Sequence, residues 1–240
     1  MDFSLTEEQE MFRTQIGKML EDFEHTKVTR DVMNNNTESL NALNEKLVEM
    51  GVPAITIPEQ YGGLELEPLN LAPIYEELGR ALVPGILMET VSFVVPLLKK
   101  YGTEKQKQIF LPAIAMGEKL FSIATLEPNS DFSPTGIQTS LTKVDDGYVL
   151  NGVKTAIPHG ELANSLLVVA RTNKENETDG LSLVLIDNVE KITMRKLNSI
   201  DNAKQLAEIT FHDFPITNEQ ILGELDEGWK QLQEGLLHFN

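Results

Sequence analysis

The spacing of the apolar residues changes once along this chain, near position 120, and this change limits the folds that the chain can adopt. Before it, apolar residues such as Phe12, Ile16 and Met19 recur every three or four positions, which is the spacing of an amphipathic helix. After it, apolar and polar residues alternate in short segments between turn residues, which is typical of β-strands. The predicted strands cover residues 121–124, 137–144, 148–156, 166–171, 182–186, 192–197 and 206–211.

Because the helices precede the strands instead of alternating with them, we predict an α+β fold. An all-helical N-terminal domain would be followed by an antiparallel β-sandwich or barrel, and a further helix would start near the end of the chain. The predicted domains are residues 1–117 and 118–225, with the first turns of the last helix in residues 226–240.

Local signals mark the ends of several helices. Thr6 followed by Gln9 has the spacing of a capping box, so a helix is predicted to begin there. Gly51 is predicted to end a helix over residues 38–50. The most apolar helix is predicted over residues 88–101, where it either lines a pocket or is an ordinary buried helix.

The last predicted helix has an apolar face that needs a surface to pack against. This face is formed by Trp229, Leu232, Leu236 and Leu237, only a few residues before the end of the sequence. We therefore expect the chain to be incomplete or to require a partner, and we expect Trp229 to anchor the helix on the rest of the molecule.

Composition and charge argue against several classes of function. The formal net charge is −17, from 20 basic and 37 acidic residues, whereas nucleic-acid binding needs a basic surface. Without cysteine there is no disulfide, thiol nucleophile or thiolate metal site, and the four histidines show no metal-ligand spacing. No apolar run reaches the ~20 residues of a membrane-spanning helix, and the N-terminus is acidic. We expect no nucleic-acid partner, no metal, no membrane insertion and a cytoplasmic location.

The candidate functional site lies in residues 120–160. FSIA, at residues 121–124, is predicted to form a short strand, and the loop TLEPNSD after it is rich in turn-forming residues. A loop that ends a strand can present backbone N–H groups and a hydroxyl to a bound anion or ring. The segment GYVLNGVKTAI is predicted to form two strand pieces around a tight turn at Asn151-Gly152. His159 follows this segment, either as a site residue or as an ordinary loop residue.

Four segments of the sequence resemble the acyl-CoA dehydrogenase family of flavoenzymes. Any one of them alone is a weak signal, because glycine turns and capped helices are common, but four in the right order and at the right separations are specific. The resemblance covers essentially the whole chain. The segments are IPEQYGGLELEP with IYEELGRAL, KKYGTEKQKQIFLPAIAMGEKLFSIATLEPNSD, GYVLNGVKTAIPHGELANSLLVVART and ITFHDFPITNEQILGELDEGW.

The resemblance implies FAD-dependent α,β-dehydrogenation of an acyl thioester, carried on CoA or on a carrier protein. In the family a flavin lies against the β-domain, a glutamate takes the α-proton of the thioester, and the β-hydrogen leaves as hydride to the flavin. The Thr125 hydroxyl would donate a hydrogen bond to the flavin, and Ser130 would contact cofactor or substrate. The residues that match the flavin-contacting segments of the family are Ser122, Ile123, Ala124, Thr125, Ser130, Ala156, Ile157 and Pro158.

The chain departs from the family in this same stretch. The loop TLEPNSD is one residue shorter than the usual TEPGAGSD and lacks its glycines, which permit close approach of the backbone to a ligand. Ala156 stands where the family has tryptophan, and Pro158, where it has threonine or serine, has neither a hydroxyl nor an N–H. Each lost hydrogen bond is worth about 0.5–1.5 kcal/mol, so FAD binding is predicted to be weakened.

The C-terminal helical domain of the family, which carries the catalytic glutamate and the tetramer contacts, has no counterpart in these 240 residues. No glutamate here matches the catalytic one by motif, so no catalytic residue is assigned. Two hypotheses follow: a flavoenzyme whose C-terminal domain is missing from this chain, or a non-catalytic subunit that pairs with a competent homologue. A lipid- or CoA-binding module is a third alternative, without a motif of its own. A homo- or hetero-oligomer is expected in the first two cases.

Overall fold

The structure is a computed structural model that describes residues 4–172, 180–189 and 192–239. Helices occupy the first half of the chain, and one more follows the strands, in the order that the sequence predicts. A π-helical segment (Glu89–Val94) continues directly into α5. The α-helices are α1 (Glu7–Glu21), α2 (His25–Met33), α3 (Glu38–Glu49), α4 (Leu71–Arg80), α5 (Val95–Tyr101), α6 (Glu104–Ala115) and α7 (Gly228–Phe239).

The predicted capping box at the start of α1 is confirmed. The Thr6 hydroxyl accepts a hydrogen bond from the Gln9 backbone N–H at 3.2 Å, and the Gln9 side chain accepts one from the Thr6 N–H at 3.0 Å. Gly51 follows α3 with a φ of 73°, a left-handed conformation that glycine adopts readily. The boundaries of these two helices are therefore set by local chemistry that the sequence displays.

The strands form one connected sheet in the order β6-β7-β3-β2-β4-β5-β8, with β1 against β4. Most neighbouring pairs are antiparallel, as predicted. The strands are β1 (Phe121–Ala124), β2 (Ser140–Val144), β3 (Gly147–Ile157), β4 (Ser165–Arg171), β5 (Leu181–Ile186), β6 (Met194–Lys196), β7 (Ala207–Ile216) and β8 (Ile221–Leu222).

Two pairings differ from the antiparallel arrangement that the sequence predicts. β1 lies parallel to β4, with Phe121 opposite Ser165, and β2 joins β4 through one parallel pair, Ser140 with Arg171. Alternation of apolar and polar residues identifies a strand but carries no information about the direction of its neighbour. The sheet is therefore mixed.

Alternate residues of β4 face two different hydrophobic cores. Leu167 and Val169 pack in a core that includes Phe93 and Leu98 from the helices. Leu166 and Val168 of the same strand pack in a second core with residues of β3 and β7. The sheet therefore folds over on itself and encloses one core while a helical layer encloses the other, in agreement with the predicted sandwich or barrel.

The prediction of a tight turn at Asn151-Gly152 is wrong. β3 runs continuously through both residues, and its pairing with β7 shifts register between Leu150 and Gly152, which is a β-bulge. Gly152 has a φ of 150°, and a Cβ there would lie 2.4 Å from the Thr139 hydroxyl. Glycine thus serves close packing between β3 and the strand beside it, and the dipeptide Asn-Gly alone does not distinguish this use from a hairpin turn.

The π-helical segment is fastened to the edge of the sheet. The Thr90 hydroxyl accepts a hydrogen bond from the Phe121 backbone N–H at 2.9 Å and donates one to the Ile86 carbonyl at 3.0 Å. The rings of Phe110 in α6 and Phe121 in β1 make an edge-to-face contact with centroids 5.5 Å apart. These contacts hold the segment that carries Glu89 and Phe93 against β1.

The last helix packs on the helical layer, as predicted for Trp229. This side chain is half-buried against the core that contains Phe93, and Leu232 is fully buried in that core. Glu234 accepts hydrogen bonds from Lys100 and Tyr101 of α5. Among the described residues, none of the helices combines the length and the apolar character that a membrane crossing requires.

Candidate functional site

The ends of β1 and β3 meet the π-helical segment and α7 at a cavity of about 490 Å³, which we call the strand-end cavity. Its walls are mostly apolar, with a few polar groups, which is the usual character of a small-molecule site. The lining includes Ile123, Thr125, Ala156, Pro158, Phe93 and Trp229. Two segments that are separate in the sequence are thus brought together at one site.

Four of the predicted cofactor-binding residues line this cavity: Ile123, Thr125, Ala156 and Pro158. They lie at the C-terminal ends of β1 and β3, as the resemblance implies. Ala156 has a φ of 50°, in the left-handed region that a non-glycine residue seldom adopts. Contact of these residues with a flavin stays a prediction.

Three other predicted residues face away from the cavity. Ser122 is fully buried, and its hydroxyl donates a hydrogen bond to the Pro158 carbonyl oxygen. Ala124 and Ile157 are buried in the core between the two halves of the sheet. Successive side chains of a strand point to opposite faces, so a motif that spans consecutive residues cannot place all of its side chains in one site. Contact of these three residues with a cofactor, which would have to involve their backbone groups, stays a prediction.

Ser130, the predicted contact to cofactor or substrate, closes its own turn. Its hydroxyl donates to the Glu127 carbonyl at 2.8 Å and accepts from the Glu127 N–H at 3.2 Å. Asn129, between them, has a φ of 60°. The turn that carries glycines in the family is therefore tightly closed here by side-chain bonds, and a ligand contact by Ser130 stays a prediction.

A buried ion pair that the sequence analysis did not identify anchors this loop. Lys154 Nζ lies 2.7 Å from Glu127 Oε1, and the two side chains are 0% and 8% exposed. Lys154 also donates to the Thr125 carbonyl at 3.1 Å. Glu127 accepts hydrogen bonds from the backbone N–H groups of Gln138 and Thr139, each at 2.9 Å. The pair ties the loop to β3 and fixes the position of Thr125.

The protonation of this pair follows from its surroundings. Burial raises the pKa of Glu127, but the Lys154 charge and hydrogen bonds from Lys154 and Thr139 outweigh it and hold that pKa below the usual value. Burial lowers the pKa of Lys154 to about 8, against the opposing effect of Glu127. Both groups are therefore charged at neutral pH, and each satisfies the other.

A second cavity, of about 560 Å³, lies beside α4 and is called the α4 cavity. Leu78, Leu87 and Met88 contribute to its apolar lining. Glu89 and Lys204 line both this cavity and the strand-end cavity. These two residues therefore form a shared wall between the two spaces.

Glu89 and His159 are buried beside this wall, and each has a polar atom without a hydrogen-bond partner among the described residues. The atoms are Glu89 Oε2 and His159 Nδ1, and both residues are 7% exposed. Burial raises the pKa of Glu89. Burial, together with the Lys204 charge, lowers the pKa of His159 to about 4, so that His159 is neutral at pH 7. Native proteins pair nearly all buried polar atoms, so such exceptions call for an explanation.

The sequence itself contains a signal for Lys154 and one for Glu89. Residue 154 shares a strand face with Leu150, so a lysine there points toward the core and requires a partner. Glu89 is a single carboxylate within the most apolar predicted helix, where an unpaired charge is equally out of place. A buried charge in an apolar pattern is thus detectable, although its partner is not.

Two family models match the chain and together cover most of it. The model described as acyl-CoA dehydrogenase, N-terminal domain, matches residues 6–118, and the model described as acyl-CoA dehydrogenase, middle domain, matches residues 122–214. The residues that form the strand-end cavity on the β1 and β3 side lie inside the second match.

Curated relatives and solved structures agree with these matches. The chain is 32% identical over 199 residues to the long-chain specific mitochondrial acyl-CoA dehydrogenase of Sus scrofa, which covers 80% of this chain and 46% of the relative. It is 32% identical over 241 residues to the short-chain specific acyl-CoA dehydrogenase of Megasphaera elsdenii, covering 96% of this chain and 62% of the relative. The structure of butyryl-CoA dehydrogenase from Megasphaera elsdenii superposes with a TM-score of 0.88 at 30% identity, over 100% of this chain and 64% of that chain.

The chain spans 46% to 62% of the length of these curated relatives. The matched part comprises the helical layer, the sheet and α7.

Proposed function

The chain belongs to the acyl-CoA dehydrogenase family, and we propose that it provides the flavin- and acyl-binding part of an FAD-dependent α,β-dehydrogenation of an acyl thioester. The observation that carries this proposal is the strand-end cavity, in which Thr125 at the end of β1 meets Ala156 and Pro158 at the end of β3. The proposed substrate is an acyl group on CoA or on a carrier protein.

The lining of the cavity fits a flavin ring. Phe93 and Trp229 provide large apolar surfaces, while the Thr125 hydroxyl provides a hydrogen-bond donor. A flat aromatic ring with polar edges needs both kinds of surface. When bound, the flavin supplies the acceptor for the hydride that leaves the substrate.

The residues of this chain position the reactants and exclude water. Lys154 holds the carbonyl of Thr125, and the buried Glu127 holds the following loop against the sheet. Leu232 and Leu236 of α7, with Trp229, cover one side of the cavity with apolar surface. Exclusion of water from the cavity would strengthen the electrostatic interactions within it. No residue of the chain is assigned to take the α-proton.

The changes relative to the family predict weaker, not abolished, flavin binding. Ala156 provides less contact area than tryptophan, and Pro158 lacks an N–H donor. The Ser130 hydroxyl is already used within its own turn. Thr125 is thus proposed as the main side-chain donor that remains.

A fluorescence titration with FAD tests this proposal. Wild-type chain is expected to bind FAD, and Thr125→Val, which removes the donor at nearly constant shape, is expected to bind about tenfold more weakly. Thr56→Val is the matched control, since Thr56 is a buried threonine outside the cavity with an unpartnered hydroxyl among the described residues. Absence of FAD binding, or equal affinities of wild type and Thr125→Val, would contradict the proposal.

A second candidate function is a non-catalytic subunit that pairs with a competent homologue. Exposed apolar side chains support it: Phe132, which lines the strand-end cavity, is 83% exposed, and Leu237 on α7 is 81% exposed. This candidate predicts that the chain co-purifies from its host with a second acyl-CoA dehydrogenase homologue, identified by mass spectrometry. A monodisperse monomer that retains no such homologue argues against it. Oligomeric state and cytoplasmic location stay predictions.

A further inference from the structure

The wall between the two cavities contains polar groups that the proposed flavin chemistry does not use. Glu89 and Lys204 line both cavities, and His159 and Asp201 line the α4 cavity beside them. The His159 backbone N–H donates to the Lys204 carbonyl at 3.1 Å, which holds these two segments together. Four hydrogen-bonding side chains thus line this part of the α4 cavity.

The buried members of this group lack partners. Glu89 and His159 are both 7% exposed, and neither Glu89 Oε2 nor His159 Nδ1 has a hydrogen-bond partner in the described part of the chain. Burying a polar atom without a partner is costly, whereas a ligand that reaches the atom removes that cost. This distinguishes Glu89 from Glu77, which is similarly buried but ion-paired to Arg13 and Arg80.

The rest of the α4 cavity is suited to hydrocarbon. Leu78, Leu82, Leu87 and Met88 lie along it, next to Glu89. A ligand that reached from one cavity into the other would need an apolar chain and, where Glu89 and Lys204 stand, a single hydrogen-bonding group.

The charges at the wall decide which group this is. A carboxylate or an ammonium group on the chain would lie against a residue of its own charge, Glu89 or Lys204, and would bring a further charge into a buried place. A ketone only accepts hydrogen bonds, so it cannot pair with an ionised Glu89. A hydroxyl group both donates and accepts, so it pairs with Glu89 in either protonation state and also accepts from Lys204.

We propose that the acyl group bound by this protein carries a hydroxyl, which donates a hydrogen bond to Glu89 and accepts one from Lys204 where the two cavities share a wall. Glu89 is then a specificity-determining residue, and plain acyl chains of the same length bind more weakly. This inference rests on the proposed function in one respect: the thioester end of the ligand is placed in the strand-end cavity.

Isothermal titration calorimetry of the flavin-free chain of 240 residues with neutral thioester probes tests the inference. The probes are octanoyl-N-acetylcysteamine and its isomers with one hydroxyl on the outer half of the chain. At least one hydroxylated isomer is expected to bind about tenfold more tightly than the plain probe, as one hydrogen bond to an otherwise unpartnered buried group implies. Glu89→Met is expected to abolish this preference and Glu89→Gln to reduce it, while Thr56→Val, away from both cavities, retains it.

Equal or weaker binding of every hydroxylated isomer, or a preference that survives in Glu89→Met, overturns the inference. Absence of binding by all probes overturns it as well. If Glu89→Met does not fold, Glu89→Gln, which preserves the shape of the side chain, decides the outcome by the size of the remaining preference. The probe titration is carried out without flavin, so its result does not depend on FAD binding. A hydroxyl preference in a chain that does not bind FAD would overturn only the proposed function. FAD binding by a chain without this preference would overturn only the inference.

Discussion

Two groups of buried polar side chains flank the strand-end cavity, and they differ in how they are satisfied. Lys154 and Glu127 pair with each other at 2.7 Å and bind backbone groups on three sides. Glu89 and His159 are as deeply buried, yet each keeps a polar atom without a partner among the described residues. Both groups lie next to the ends of the same strands.

The difference separates a structural role from a functional one. Lys154 and Glu127 are paired within the protein, so they fix the loop after β1 and need no ligand to satisfy them. An unsatisfied carboxylate and imidazole cost stability in the folded chain, and native proteins retain such costs mainly at functional sites. The comparison therefore supports a scaffold role for the first group and the proposed ligand contact for the second.

Lys154→Met is the most severe way to break the satisfied pair. It leaves the Glu127 carboxylate buried without its cation, and the free energy of unfolding is expected to fall by about 3–5 kcal/mol. Urea unfolding followed by circular dichroism measures this loss.

The double variant Glu127→Gln with Lys154→Met is the control for this experiment. It removes the buried charge altogether, so a large part of the lost stability is expected to return. If Lys154→Met unfolds at nearly the same urea concentration as wild type, the pair does not anchor the loop.

The second prediction concerns pH and the unsatisfied group. Burial, with the Lys204 charge and against the opposing effect of Asp201, lowers the pKa of His159 from 6.5 to about 4. Between these pH values the unfolded chain binds more protons than the folded one. The free energy of unfolding therefore falls as the pH falls through this range, by up to about 3 kcal/mol.

His159→Asn isolates this effect, because asparagine tolerates the φ of 49° that His159 adopts. Urea unfolding of both proteins at about pH 7 and about pH 5 gives the difference, in which other titrating groups cancel. Wild type is expected to lose more stability than the variant on acidification. Equal losses would show that His159 is not buried in its neutral form.

The third prediction has the smallest effect and the opposite sign. Glu89→Met removes a buried carboxylate that lacks one partner, so the free energy of unfolding is expected to rise by about 1–2 kcal/mol. Glu77→Met is the matched control, because Glu77 is equally buried but paired with Arg13 and Arg80, and its loss is expected to destabilise the chain. Thermal unfolding of the two variants measures both changes, and destabilisation by both would remove the distinction between the two glutamates.

The sequence predicts the layers of this fold well, because each depends on local chemistry. The capping box at Thr6 and the change of apolar spacing near residue 120 act over a few positions. The direction of β1 and the bulge at Gly152 depend on residues far away in the sequence, such as Ser165 opposite Phe121 and Thr139 against Gly152. Alternation alone cannot supply these.

The candidate site shows the same limit. Motif resemblance finds the stretch that contains Thr125 and Ala156, which line the cavity, but it does not distinguish them from Ser122, whose hydroxyl is turned to Pro158. The Glu127–Lys154 pair joins residues 27 positions apart. Whether a buried carboxylate such as Glu89 is satisfied depends on packing from several elements, and only the structure displays it.

The central claim, that the strand-end cavity holds a flavin, is tested most directly by the visible absorbance spectrum of the purified chain. The spectrum is recorded before and after incubation with excess FAD and removal of the free cofactor on a desalting column. We predict that a flavin absorbance band elutes with the protein and is shifted on adding an acyl thioester. A spectrum without this band after incubation would contradict the claim and would favour the non-catalytic subunit.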